Sequence, residues 1–334
     1  MFIVESYGIA VVMCFVTMIC WGSWANTQKM AGKEWPFQLF YWDYAIGVVL
    51  FALALAFTLG SMGSAGRSFV MDLRQASLRA VVLALLGGVI FNLANILLVC
   101  AIDIAGMAVA FPIAIGISLS LGVIINYLAS PIGNPTLIFL GVAGVLAAVV
   151  VDAMAYRRVP SQGVTSTRKG ISISIASGIL MGFFYRFVAA SMSPNFKSPE
   201  PGTMTPYTAL VVFSLGLFIS NFIWNSYIMA KPFSGAPVSY RDYFNKGNAR
   251  LHSIGILGGA IWNLGMSFSI IAAGAAGFAI SYGLGQGGTM VAAFWGVFIW
   301  KEFKNASRGT NKLIALMFIL YIVSLSLIIL SRMI

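Results

Sequence analysis

Charge is what this sequence has least of. Of its 334 residues, 9% are Asp, Glu, Lys or Arg and 60% are hydrophobic. A soluble domain carries about 25% charged residues, so most of this surface is built for lipid rather than water. Acidic residues number nine and histidine one, His252. That scarcity weighs against an intramembrane enzyme, because the chain offers no H-E-x-x-H motif and no pair of acids inside one apolar run. Neither a metal-ligand set nor a cofactor is expected. It also disfavours an exporter of cationic compounds, whose cavity needs acidic side chains. The three cysteines (Cys14, Cys20, Cys100) lie inside apolar runs and read as packing groups, not as a disulfide framework.

What the chain does have is long apolar runs separated by short basic loops. A spanning helix needs about 20 mostly apolar residues. Spans are expected near 7–27, 39–60, 77–100, 106–128, 136–155, 170–190, 207–230, 253–272, 275–299 and 312–331. The reading is an all-α membrane protein of ten transmembrane helices in a lipid bilayer. Residues 1–25 carry Glu5 in place of a basic cluster and do not read as a cleaved signal. The net charge of +11 comes from Lys and Arg in the loops, which set topology and do not form a nucleic-acid surface. Fourteen of them (among them Lys29, Lys33, Arg157, Lys231 and Lys301) fall on the side opposite the termini, and five on the termini side. That bias puts the loops after the first, fifth, seventh and ninth helices in the cytoplasm.

The second half echoes the first. Residues 87–116 align without a gap on 258–287, with ten of the thirty positions identical. Gly22 and Trp24 echo Gly182 and Phe184 more weakly. Five helices per half is an odd number, so the halves must cross in opposite senses. The expectation is two inverted five-helix repeats, 1–156 and 170–334, joined by a cytoplasmic linker, 157–169. Such repeats are the usual trace of a secondary transporter.

Polar groups deep in a span face the bundle interior. Asn92 and Asn263 hold equivalent places in the repeats, after Phe91 and Trp262, and would either contact a solute or bond a neighbouring helix. Phe111-Pro112 and Tyr282-Gly283 also match, and paired interruptions there would mark a transport site with Gln286 one turn on, or a kink with no ligand role. Trp21 is placed to stack on a ring, while Trp24 reads as an interfacial anchor. Arg186 either snorkels to the interface or lines the pathway. Asp43 is the best-placed carboxylate for proton coupling, whereas Asp103, Asp152 and Glu302 read as solvated or paired groups at helix ends.

Several segments resemble the ureide permease family: Met1 to Gly8 (MFIVESYG), Tyr41-Trp42-Asp43-Tyr44-Ala45-Ile46, Gly87-Gly88-Val89 through Asn92 and Asn95, and Gly122 to Leu128 (GVIINYL). The wider relatives of that family are the drug/metabolite transporter superfamily, including bacterial glucose/ribose porters. The resemblance implies proton-linked uptake of small neutral polar solutes such as allantoin or uracil. Plant members carry a longer central loop with a nucleotide-binding-like motif. Here Gly163 to Gly170 lacks the second glycine and the Ser/Thr of a phosphate cradle, so ATP use is not expected. The short loop points to a bacterial inner membrane.

The resulting expectation is a proton symporter working by alternating access. Its site would combine Trp21, Asn92, Asn95, Phe111, Trp262, Asn263, Tyr282 and Gln286. A monosaccharide porter is the alternative, since aromatic rings stack on sugar faces as well, and a passive pore or an exporter stands behind it. The fifth and tenth helices are expected to be peripheral, facing lipid or a second copy in a homodimer.

Overall fold

The computed structural model describes residues 1–32, 34–159, 168–233 and 235–334, with the side chains of residues 107 and 108 left aside. Lys33, the core of the linker and most of the Gly163–Gly170 segment lie outside the described residues. The first half comprises α1 (Tyr7–Ser23) running on into α2 (Ala25–Ala31), then α3 (Phe37–Phe57), a short α4 (Phe69–Gln75), α5 (Leu78–Ala105), α6 (Met107–Ala129) and α7 (Pro135–Tyr156). The second half comprises α8 (Arg168–Ser191), α9 (Pro206–Ala230), a short α10 (Tyr240–Lys246), α11 (Ala249–Ala276), α12 (Phe278–Gly285), α13 (Gly288–Phe294) and α14 (Thr310–Leu330). No strand forms among the described residues; an isolated bridge, Met192 to Met204, closes one loop.

In lipid every backbone N–H and C=O must find an internal partner, which leaves helices as the spanning form. Their ends are set by local chemistry. Ser77 caps α5 by accepting from the Ala80 N–H, and Asn248 caps α11 by accepting from the Leu251 N–H. Each of these 28-residue helices stops at a glycine of positive φ, Gly106 at 78° and Gly277 at 88°. A side chain is strained there, so the chain reverses in one residue and the next helix starts at once.

Nine helical runs of the described residues are long and apolar enough to cross a membrane, and they match nine of the ten expected spans. The span expected at 275–299 is discontinuous. It consists of α12, a turn at Gln286–Gly287, α13 and a π-helical turn, Trp295–Ile299. The break falls one turn after Tyr282-Gly283, which stays helical. Gly285 and Gly288 there press against Trp21 of α1, leaving little room for side chains. The interruption expected at Phe111-Pro112 does not occur either; α6 runs through Pro112. Neighbouring helices support such a proline, so the lost donor does not end the helix.

Packing exchanges helices between the halves. α5 lies against α8 and α9, as α11 lies against α1 and α3. The close approaches are equivalent: a Cβ on Gly88 would sit 2.0 Å from the Phe213 carbonyl oxygen of α9, and one on Gly259 would sit 1.9 Å from that of Tyr44 on α3. Small residues let membrane helices approach this closely. α6 meets α12, and α7 meets α14, so matched helices of the two halves also touch.

Candidate functional site

A cavity of about 660 Å³ enters the bundle between the halves. Its wall is aromatic because the repeat places rings at equivalent positions. Phe91 and Trp262, aligned in sequence, stack on each other at 4.3 Å and 30°. Trp21 lies nearly parallel to Trp262 at 6.3 Å, and Phe184 and Phe111 extend the lining. Each such pair adds about 0.5–1.5 kcal/mol beyond its buried area.

Few polar groups reach this space at mid-bundle. Gln286, at the break between α12 and α13, lines it, and its amide has no hydrogen-bond partner among the described residues. Asn95 donates to the Tyr41 hydroxyl at 3.1 Å, leaving its carbonyl oxygen for the cavity. Thr289 donates to the backbone carbonyl of Gln286 at 2.9 Å and also lines the cavity. Toward the end bearing most of the Lys and Arg the lining continues through Gln28, Lys29, Gly32 and Asp103, where Lys29 and Gly32 are exposed. Lys29 pairs with Glu302 at 2.6 Å at this end.

The opposite end is closed. Tyr282, fully buried, shares a 2.7 Å hydrogen bond with Ser118, and Tyr185 shares one of 2.9 Å with Ser269. Above them Arg67 donates to buried Asp72 at 2.7 Å and to the carbonyls of Pro199 and Thr203, tying the α4 region to the loop before α9.

Of the residues expected to form the site, Trp21, Asn95, Phe111, Trp262 and Gln286 line the cavity. Asn92 and Asn263 do not. Both are fully buried, Asn92 donating to the Leu217 carbonyl at 3.1 Å and Asn263 to the Val48 carbonyl at 2.8 Å, so each ties its helix to the one it crosses. Tyr282 belongs to the closed end. Arg186 is half-buried on α8, away from the lining. Asp43 is also outside it. Its carboxylate is held by the Tyr243 hydroxyl, by His252 Nδ1 at 2.8 Å and by Trp35 Nε1 at 2.9 Å, and Trp35 in turn lines the cavity. Beside that carboxylate, burial and the negative charge raise the Tyr243 hydroxyl above its ordinary value.

Sequence reasoning missed Phe184, Thr289, Gln28 and Lys29 as lining groups. Phe91 was legible through its alignment with Trp262; the others carried no signal beyond their place in a span. α7 is less peripheral than expected, since Asp152 faces inward onto α6 and α13.

The comparisons with known proteins agree with this architecture. A family model described as "Ureide permease" matches residues 40–163 and 157–331. Ureide permease 1 of Arabidopsis thaliana is 25% identical over 99% of both chains, and Ureide permease 2 of the same plant is 24% identical over the same shares. Probable ureide permease A3 of Vigna unguiculata is 23% identical over 92% of this chain and 99% of that one. A solved structure described as "Crystal structure of protein" superposes with a TM-score of 0.59 at 16% identity, covering 98% of this chain and 99% of that one, which speaks to the fold alone. A helical membrane chain whose paired halves enclose an aromatic cavity, and which the family model matches along most of its length, belongs to the ureide permease family.

Proposed function

We propose that this protein carries a small, neutral, planar solute of the ureide or nucleobase class, such as allantoin or uracil, across its membrane by proton-coupled alternating access. The observation that carries the reading is the unpartnered Gln286 amide on an aromatic wall at a helix break. An amide offers donors and an acceptor together, which complements the –NH–CO– edge of such a ring, while Phe91, Trp21 and Trp262 supply the stacking surface. A buried amide left unpaired by the wrong solute costs about 1–3 kcal/mol, so the contact also discriminates. A monosaccharide would stack as well but needs hydroxyl partners around its rim, and the mid-bundle cavity offers few beyond Gln286, Asn95 and Thr289.

In the expected orientation the cavity opens to the cytoplasm, so the conformation described is the inward-facing one. Transport then requires the open end at Gln28, Lys29 and Gly32 to close as the Arg67–Asp72 clamp opens. The names of the relatives support a ureide cargo, and the short linker supports a bacterial inner membrane.

The test is thermal stabilisation of detergent-purified protein by allantoin, uracil, ribose and glucose, followed by uptake into liposomes. Stabilisation by the heterocycles and saturable accumulation down a proton gradient are expected. A response to ribose or glucose alone would move the protein to the sugar porters.

A further inference from the structure

A second cavity, of about 20 Å³, lies against the first. It has room for about one water molecule. Phe111 and Pro112 of α6, Asp152 and Tyr156 of α7, and Thr289 and Ala292 of α13 bound it, and three of these (Phe111, Thr289, Ala292) also line the transport cavity. Asp152 makes no hydrogen bond or ion pair among the described residues. Tyr321 of α14 is fully buried, and its hydroxyl, which makes no hydrogen bond of normal geometry among the described residues, lies near Thr289 and Asp152. Native interiors rarely leave a buried hydroxyl such as that of Tyr321 unsatisfied. An unpaired carboxylate beside an unpaired hydroxyl, with space for one water, marks a place built to hold something.

We propose that Asp152 is the group that carries the coupling proton, with one water in the small cavity. The proposal rests on the proton-symport reading above and names the site that reading needs. In the binding step a hydronium in the transport cavity gives its proton to an Asp152 oxygen, which forms the O–H bond and leaves a neutral water. Release on the cytoplasmic side is the reverse transfer to water. The Thr289 hydroxyl, bonded to the Gln286 carbonyl at 2.9 Å, links this site to the solute-facing turn. Loading of Asp152 and of Gln286 therefore acts on one helix break, as expected where half-helix ends hold both solute and coupling ion.

The surrounding charges are accounted for. Glu302 accepts from Tyr156 at 2.9 Å and pairs with Lys29, so it is already engaged. α6 and α13 carry no charged residue, α14 has only Lys312 in its first turn with Arg332 past its end, and Arg157 and Arg158 lie exposed past the end of α7. Asp43, by contrast, already has three donors and serves as a latch between α3, α10 and α11.

The experiment compares wild type with Asp152→Asn in liposomes, using radiolabelled allantoin. Accumulation driven by a pH gradient should fall to the equilibrium level in the variant, while allantoin counterflow persists and Asp152→Glu restores accumulation. Wild-type accumulation that survives in Asp152→Asn would overturn the assignment and leave the symport reading standing. Wild-type uptake that ignores a pH gradient would overturn both, and dependence on a sodium gradient would overturn the proton as the ion. Tyr321→Phe serves if Asp152→Asn does not assemble. It should shift the pH of half-maximal uptake, and an unmoved profile would count against the site.

Discussion

Three amides on this molecule share one chemistry and do different things. Asn92 and Asn263 donate to backbone carbonyls of crossing helices, yet the carbonyl oxygen of each is left without a partner. Their net contribution is therefore small, about 0.5–2 kcal/mol each. Asn92→Ala and Asn263→Ala are expected to lower the melting temperature in detergent and to leave allantoin affinity nearly unchanged. Gln286→Ala should leave Tm nearly unchanged and weaken affinity, because its amide has no partner among the described residues; the three variants are separated by measuring Tm and Kd on the same preparations. Asp43→Asn should also lower Tm, by weakening the bonds from Tyr243 and His252, while gradient-driven accumulation persists. Loss of accumulation with full stability would instead make Asp43 a transport residue.

At the scale of elements, two devices hold the packing described above. The first is close helix approach at Gly88 and Gly259, where any Cβ meets a carbonyl oxygen near 2 Å. Gly259→Ala has to push α11 off α3, and overpacking of this kind costs about 1–3 kcal/mol. The expected result is a lower Tm with the oligomeric and helical state retained by circular dichroism. The second device is the Arg67 clamp over the closed end. Arg67→Ala leaves the buried Asp72 carboxylate with only the Thr205 N–H and the Gln75 amide, at 2.7 and 3.2 Å. That should favour opening on the termini side, read as faster labelling of a cysteine placed at Ser118 by a membrane-impermeant reagent. A third local feature is insensitive to pH. Bonds from Lys246 and Ser239 hold the Asp242 carboxyl down at about 2. Its folded value is depressed, so the cap of α10 is intact above the ordinary aspartate range and is lost only as pH falls toward 2. Protease cleavage near α10 should then be unchanged from neutral to mildly acid solution.

For the whole molecule, the exchange of helices between halves matters more than either half. α5 packs chiefly on α8, and α11 chiefly on α3 and α1, so each half leaves its main apolar face uncovered when alone. If the linker serves only to join them, separately expressed 1–159 and 168–334 should each be unstable. Co-expressed, they should co-purify through a tag on one half and transport allantoin. A stable half on its own would show that the repeats are independent folding units.

Much of this was legible in the chain. Apolar length gave nine continuous spans near their observed places, because lipid allows only helices to cross. The repeat of 87–116 in 258–287 located α5–α6 and α11–α12 and their one-residue turns, because only glycine adopts those dihedrals cheaply. It also named Phe91 and Trp262, though not that they stack on each other. What sequence could not decide was which way a side chain faces. Asn92 sits one residue from Phe91, about 100° round the helix, and that rotation alone turns it from the cavity to α9. The break at Gln286 rather than Gly283, the closed end built on Tyr282, and the inward turn of Asp152 have the same origin. Composition fixes that a segment lies in lipid, but partners from other spans decide which polar groups are satisfied there and which remain free for a solute or a proton.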